Sequence, residues 1–268
     1  MKKIIITALL VLVMAVPAMA SDLITLPNPA TYSQATFKDL SKDLGFAISY
    51  FPLSPAQSLA GNLIPFGFDA GLEVTAVQLD TKKPQWQLMK DAGATVPSYL
   101  PIPKLHVQAG FKLPFVPLIP PIDLGVVYSM VPGTKITLLG GEVKIGLLED
   151  GIIMPAVALR GSFTKLGGLD KTIDMSTQQL DISVSKKFLL LTPYIGYGVL
   201  QIKSTPKDPV ATTNVTVGPV TYKGLTEEKF TEGKLFAGLK LSLGLINFVF
   251  EYDKATVAAY SFRANVSF

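Results

Sequence analysis

The chain contains no cysteine, one histidine (His106) and one tryptophan (Trp86). Without cysteine there is no disulfide, no lipidated thiol and no thiolate metal centre. A lone histidine excludes multi-histidine ligand sets, and no Gly-x-Ser-x-Gly elbow occurs, so neither metal nor cofactor is expected. Charge is scarce too: Asp, Glu, Lys and Arg make up 16% of the residues, with no basic stripe, which removes a nucleic-acid partner. After residue 20 no apolar run reaches the ~20 residues that a membrane-spanning helix needs. Yet mean hydropathy is +0.40. That much apolar surface without a spanning helix suits a sheet that shows apolar residues to lipid on one face only.

The first twenty residues read as a secretory signal. Lys2 and Lys3 open it, Ile4 to Val16 are almost wholly apolar, and Ala18-Met19-Ala20 gives the small-x-small cleavage pattern. Loss of Lys2 and Lys3 lowers the formal charge from +4 to +2.

The C-terminus carries the sharpest pattern. Tyr260, Phe262, Ala264, Val266 and Phe268 alternate with Ser261, Arg263, Asn265 and Ser267, so the two sets occupy opposite sheet faces. This ending resembles the terminal strand of outer-membrane barrels, and the resemblance implies that Tyr260, Phe262 and Phe268 form the signal read by barrel-assembly machinery. The same alternation recurs upstream, making about eleven candidate strands in all, with Gly45–Phe51 and Thr192–Lys203 the weakest. Short connections at 148–151, 187–191 and 244–245 alternate with long ones at 82–103, 165–172 and 204–230, as periplasmic turns and extracellular loops do. The fold expected is all-β: a single transmembrane antiparallel barrel of about 12 strands (range about 10–14), even in number.

Residues 33–44 predict a short amphipathic helix, with Phe37, Leu40 and Leu44 on one side. It either packs in the lumen, against Gly196 and Gly198, or lies at a rim. The organisation expected is therefore a signal at 1–20, an N-terminal segment at 21–43 and the barrel at 44–268, with removal of residues 22–43 raising conductance. Pro84–Asp91 predicts a second short helix whose Trp86 serves the interfacial aromatic belt or anchors a loop.

Alternation assigns Asp69, Glu73, Asp123, Glu142, Asp181, Glu251 and Asp253 to the inner face with Lys104, Lys112, Lys144, Arg160, Lys240 and Arg263. The signs nearly balance, which suits a lumen crossed by ion pairs or a narrow, weakly selective path. Glu73, His106, Glu142, Lys144, Arg160, Asp181, Lys240, Glu251 and Arg263 are the candidate lumen-lining residues. His106 has a structural role in that interior unless a serine or carboxylate makes it a hydrolase centre.

The stretches FKDLSKDLGFAISY (from Phe37), FDAGLEVTA (from Phe68), PIPKLHVQAGFKLPF (from Pro101), YSMVPGTKI (from Tyr128) and PAVALRGSFTKL (from Pro155) resemble a family of uncharacterised outer-membrane proteins of Gram-negative bacteria. The resemblance implies fold and location and transfers no functional residue. Three functions follow: a narrow or plugged channel for a small solute, a structural or surface-interaction barrel working through its loops, and a hydrolase at His106. The first is expected, with no enzymatic activity. Its partners would be outer-membrane lipid, the assembly machinery and a small solute, and its location the cell outer membrane.

Overall fold

The computed structural model describes residues 30–61, 65–113, 119–131 and 135–268; the signal at 1–20 and the start of the N-terminal segment lie outside them. Ten antiparallel strands close into a barrel. They are β1 (Phe66–Gln78), β2 (Tyr99–Phe111), β3 (Ile122–Met130), β4 (Thr137–Leu148), β5 (Ala156–Gly167), β6 (Ile173–Ser185), β7 (Leu191–Pro206), β10 (Glu228–Leu243), β11 (Ile246–Lys254) and β12 (Ala258–Ser267). β8 (Val215–Val217) and β9 (Val220–Tyr222) form a separate hairpin in the β7–β10 loop. Each barrel strand pairs with its sequence neighbour apart from that hairpin, and β1 pairs with β12 to shut the seam. Phe268 and Phe68 exchange backbone hydrogen bonds of 2.9 and 3.0 Å at the end of that seam.

Two rims result. The β1–β2 loop, with α2 (Pro84–Asp91), and the β7–β10 loop, with α3 (Pro209–Thr212), stand at one rim; the other carries the tight turn between Leu243 and Ile246. Outward positions between the rims are apolar, including Leu105, Val126, Ile182, Tyr197, Phe250 and Tyr260, all 47–56% exposed. This is the exposure a soluble protein avoids and a lipid-facing wall requires.

Near the long-loop rim the pattern inverts. On β7, Ile195, Tyr197 and Val199 face outward, whereas Leu200 and Ile202 face inward and Gln201 and Lys203 outward. On β6, Leu180, Ile182 and Val184 face out, but Ile173 and Met175 face in. The apolar side changes because the neighbour changes. Below the switch the apolar partner is outside the wall; above it, the partner is a helix inside.

That helix is α1 (Gln34–Ala47), capped by Ser33, whose hydroxyl accepts from the Thr36 N–H at 3.2 Å. Phe37, Leu40 and Leu44 share its buried side with Phe46 and pack in the cluster that contains Leu200, Ile202, Ile173 and Phe236. Gln34 holds the start of α1 at the long-loop rim through the Thr226 carbonyl at 3.1 Å. From there the chain descends through the lumen and leaves it beside Gly61 and Pro121 at the short-turn rim, before β1 begins.

Several expectations change. Gly45–Phe51 is no strand: Gly45–Ala47 complete α1, and the following residues have no strand partner because the wall's side chains, not a neighbouring backbone, take their hydrogen bonds. The barrel thus starts at Phe66 rather than 44, and its strand number is ten, at the low end of the expected range and even. Gly196 and Gly198 do not admit α1; a Cβ there would meet Phe236 and Asp181. The close approach is at Gly45, where a Cβ would lie 2.5 Å from Ile202 Cγ2. Trp86 does not join an aromatic belt. It is fully buried, and its Nε1–H donates to Asp43 of α1 at 2.9 Å.

Candidate functional site in the closed lumen

Below α1, residues 48–60 form a strap gripped by inward side chains of the wall. Strand alternation aims those side chains inward, and each finds its partner in order of depth. Thr164 donates to the Ile48 carbonyl at 2.7 Å. Lys234 donates to the Tyr50 carbonyl at 2.6 Å and pairs with Asp253 at 3.2 Å. Arg160 donates to Ser54 Oγ at 3.0 Å, and Lys144 to the carbonyls of Pro55 and Gln57 at 3.2 and 2.9 Å. Asp123 accepts from Ser58 Oγ at 2.6 Å.

Those cations, and with them Lys104 of β2 and Arg263 of β12, also meet carboxylates on neighbouring strands. Lys104 pairs with Glu73 at 3.4 Å, Lys144 with Asp123 at 2.9 Å, Arg160 with Glu142 at 2.7 Å, and Arg263 with Asp69. A buried ion pair recovers its desolvation cost only when the remaining donors are also satisfied. The strap's carbonyls supply acceptors to Lys144, Lys234 and Arg263, and the Ser54 hydroxyl supplies one to Arg160.

Phe51 sits between two ammonium groups, with Lys104 Nζ 4.4 Å and Lys234 Nζ 4.1 Å from its ring centroid. The ring's negative faces favour that arrangement in a dry interior. Leu53 has φ +44°, a left-handed conformation that costs a leucine about 1–2 kcal/mol. Its N–H donates to Glu251 Oε2 at 3.0 Å, and its carbonyl accepts from Arg263 at 3.5 Å. Those two charged partners hold the kink.

His106 bridges the wall and the strap: Nδ1 is 3.1 Å from Glu73 Oε2, and Nε2 is 2.6 Å from the Tyr50 hydroxyl. All three residues are at most 2% exposed, so no substrate reaches the imidazole in this state. Higher up, Tyr32 is buried near Asp39 and Asp43. Burial first, then those carboxylates, push its hydroxyl above the ordinary tyrosine value and keep it neutral.

Glu73, His106, Glu142, Lys144, Arg160, Asp181, Glu251 and Arg263 all lie in this one network; Asp181 joins through Arg160 at 3.8 Å. Lys240 also faces inward, nearer the short-turn rim and apart from the strap contacts named above. Lys112 lies past the end of β2 and pairs with Glu149 in the β4–β5 turn, so it belongs to the rim and not the lumen. Lys234 was missed. Its strand extends above the apolar belt, where alternation no longer separates apolar from polar. Tyr260 and Phe268 are 51% and 64% exposed on the outer wall, with Phe262 half-buried beside them.

No protein-family model and no curated protein matches the chain. Similar solved structures are outer-membrane β-barrels. The translocator domain of the autotransporter NalP from Neisseria meningitidis shares 11% identity over 88% of this chain and 97% of that one, with a TM-score of 0.41. The N-terminal β-barrel domain of Pseudomonas aeruginosa OprF shares 11% over 75% and 97%, with a TM-score of 0.33. Ail of Yersinia pestis shares 8% over 76% and 97%, with a TM-score of 0.29. These likenesses concern the barrel architecture alone.

Proposed function

We propose that the protein is an outer-membrane barrel, exported by residues 1–20, with its long loops outside the cell and its short turns in the periplasm. Its own N-terminal segment closes it at rest. Its work is done at the outer rim and wall rather than by free diffusion through the lumen. One observation carries this reading: Lys104, Lys144, Arg160, Lys234 and Arg263 are each at most 4% exposed. A water-filled path would leave such side chains wet. Ten strands enclose little more than the eight-stranded barrel that side chains alone can fill, and the strap takes up the difference. The outward aromatic run ending at Phe268 is offered to the assembly machinery. No catalytic role is assigned to His106, since burial separates it from any substrate.

A second reading, a gated conduit for a small solute, has its own support. The strap is gripped largely by polar bonds to its backbone, which water can replace if the segment shifts. Planar-bilayer recordings separate the two. The closed barrel predicts no steady unitary current from the intact chain at modest voltage; steady single-channel currents would replace it with the conduit.

A further inference from the structure

Strand register sets Lys165, Ser176, Lys203 and Lys229 side by side across β5, β6, β7 and β10. All four alternate with buried or inward neighbours and so face out. One rung nearer the short turns, about 7 Å along the strands, stand Gln178, Gln201 and Thr231, and the apolar belt begins beneath them. This is the level at which the wall's apolar side switches from outside to inside, so the lysines lie where hydrocarbon gives way to headgroups. The opposite wall differs: the rung there reads Lys254, Ala258, Gln78 and Tyr99.

Beside this rung the outer wall is hollow. Gly141 stands opposite Phe163 and Gly161 opposite Val143, and they line an open depression of about 680 Å³ that reaches Gln178. A Cβ added at Gly161 would meet nothing within 4 Å. The depression is not needed for packing within the chain.

We propose that this wall holds one phosphorylated lipid of the outer leaflet, with an acyl chain over Gly161 against Phe163 and its phosphates on the lysine rung. Three strand spacings separate Lys165 from Lys229, about 14 Å. That span fits two phosphates on a disaccharide-sized headgroup better than one phosphate. Lys203 already pairs with Glu227 at 3.1 Å, so Lys165 and Lys229 are the principal anchors. Gln178 and Gln201 face the sugar and ester oxygens between them. The site rests on the reading that this wall faces an outer leaflet.

The test uses the full mature chain refolded in detergent micelles containing bisphosphorylated lipid A, phosphatidylglycerol or phosphatidylcholine, with bound lipid counted by native mass spectrometry. One lipid A per barrel is expected. Retention should fall about tenfold in K165Q/K229Q, which removes two charge-assisted contacts, and comparably in Gly161→Phe, which fills the depression without touching a charge. Both changes face outward into open space, and heat-modifiable migration checks that each variant folds. Equal retention of phosphatidylcholine, variants that bind as the parent does, or a dimer that covers the depression would overturn the site. Equal retention of phosphatidylglycerol would overturn the two-phosphate assignment. Failure of the parent chain to give a heat-modifiable species would instead strike the outer-membrane reading itself.

Discussion

Lys234 joins wall to strap. It carries one partner on β11, Asp253, and one on the strap, the Tyr50 carbonyl. Lys234→Met would leave Asp253 as an uncompensated buried charge, at a cost of about 3 kcal/mol or more. Lys234→Met with Asp253→Leu removes both charges and should recover most of that loss. Guanidinium midpoints of the three proteins in detergent check this; a double variant no more stable than the single would refute the pairing. The residues of this network were unevenly legible. Glu73, His106, Arg160 and Arg263 stand in strands whose outward neighbours are apolar, so period two alone turns them inward. Lys234 stands where inward Phe230 packs beside Lys38 and Lys42 of α1, and no local pattern separates the faces. Tyr50, Leu53 and Ser54 had no signal at all, because an irregular strap carries no period.

α1 and α2 act as one lid inside the long-loop rim. Asp43 accepts from Trp86 Nε1 and from Gln85 Nε2, both at 2.9 Å, and Lys42 pairs with Glu232 of β10 at 3.3 Å. The tight point is Gly45 against Ile202. Gly45→Val is expected to lift α1 from β7 and expose the sole indole, raising acrylamide quenching and shifting emission to the red, while the barrel stays heat-modifiable. Unchanged quenching would contradict the packing. At this scale the sequence was read well for α1, whose Phe37, Leu40 and Leu44 recur at helical spacing, and for β12, whose last residues alternate cleanly. It misled at Gly45–Phe51, where the apolar residues serve a helix end and a lumenal strap in turn. The strap also alters what truncation does: removing residues 22–43 would take away most of α1 yet leave residues 48–60 among the lumenal ion pairs, so conductance need not rise.

The whole molecule is a barrel wound around its own N-terminal segment. The chain enters at the long-loop rim, where Gln34 meets Thr226 and Glu228 at 3.1 and 2.5 Å. It crosses the interior and reaches the short-turn rim at Gly61 before the first strand begins. Barrel class was legible because lipid on one side and a polar interior on the other impose alternation along every strand. The threading was not, since no local pattern records which rim a segment starts from. The natural lack of cysteine makes the threading directly measurable. Ala35→Cys and Gly61→Cys place single thiols at exposed positions near the two rims, and a maleimide too large for porins is applied to cells before and after the outer membrane is permeabilised. The account predicts that the thiol at 35 is labelled on intact cells and the thiol at 61 only after permeabilisation; labelling in the reverse order, or of both thiols from one side, would contradict it.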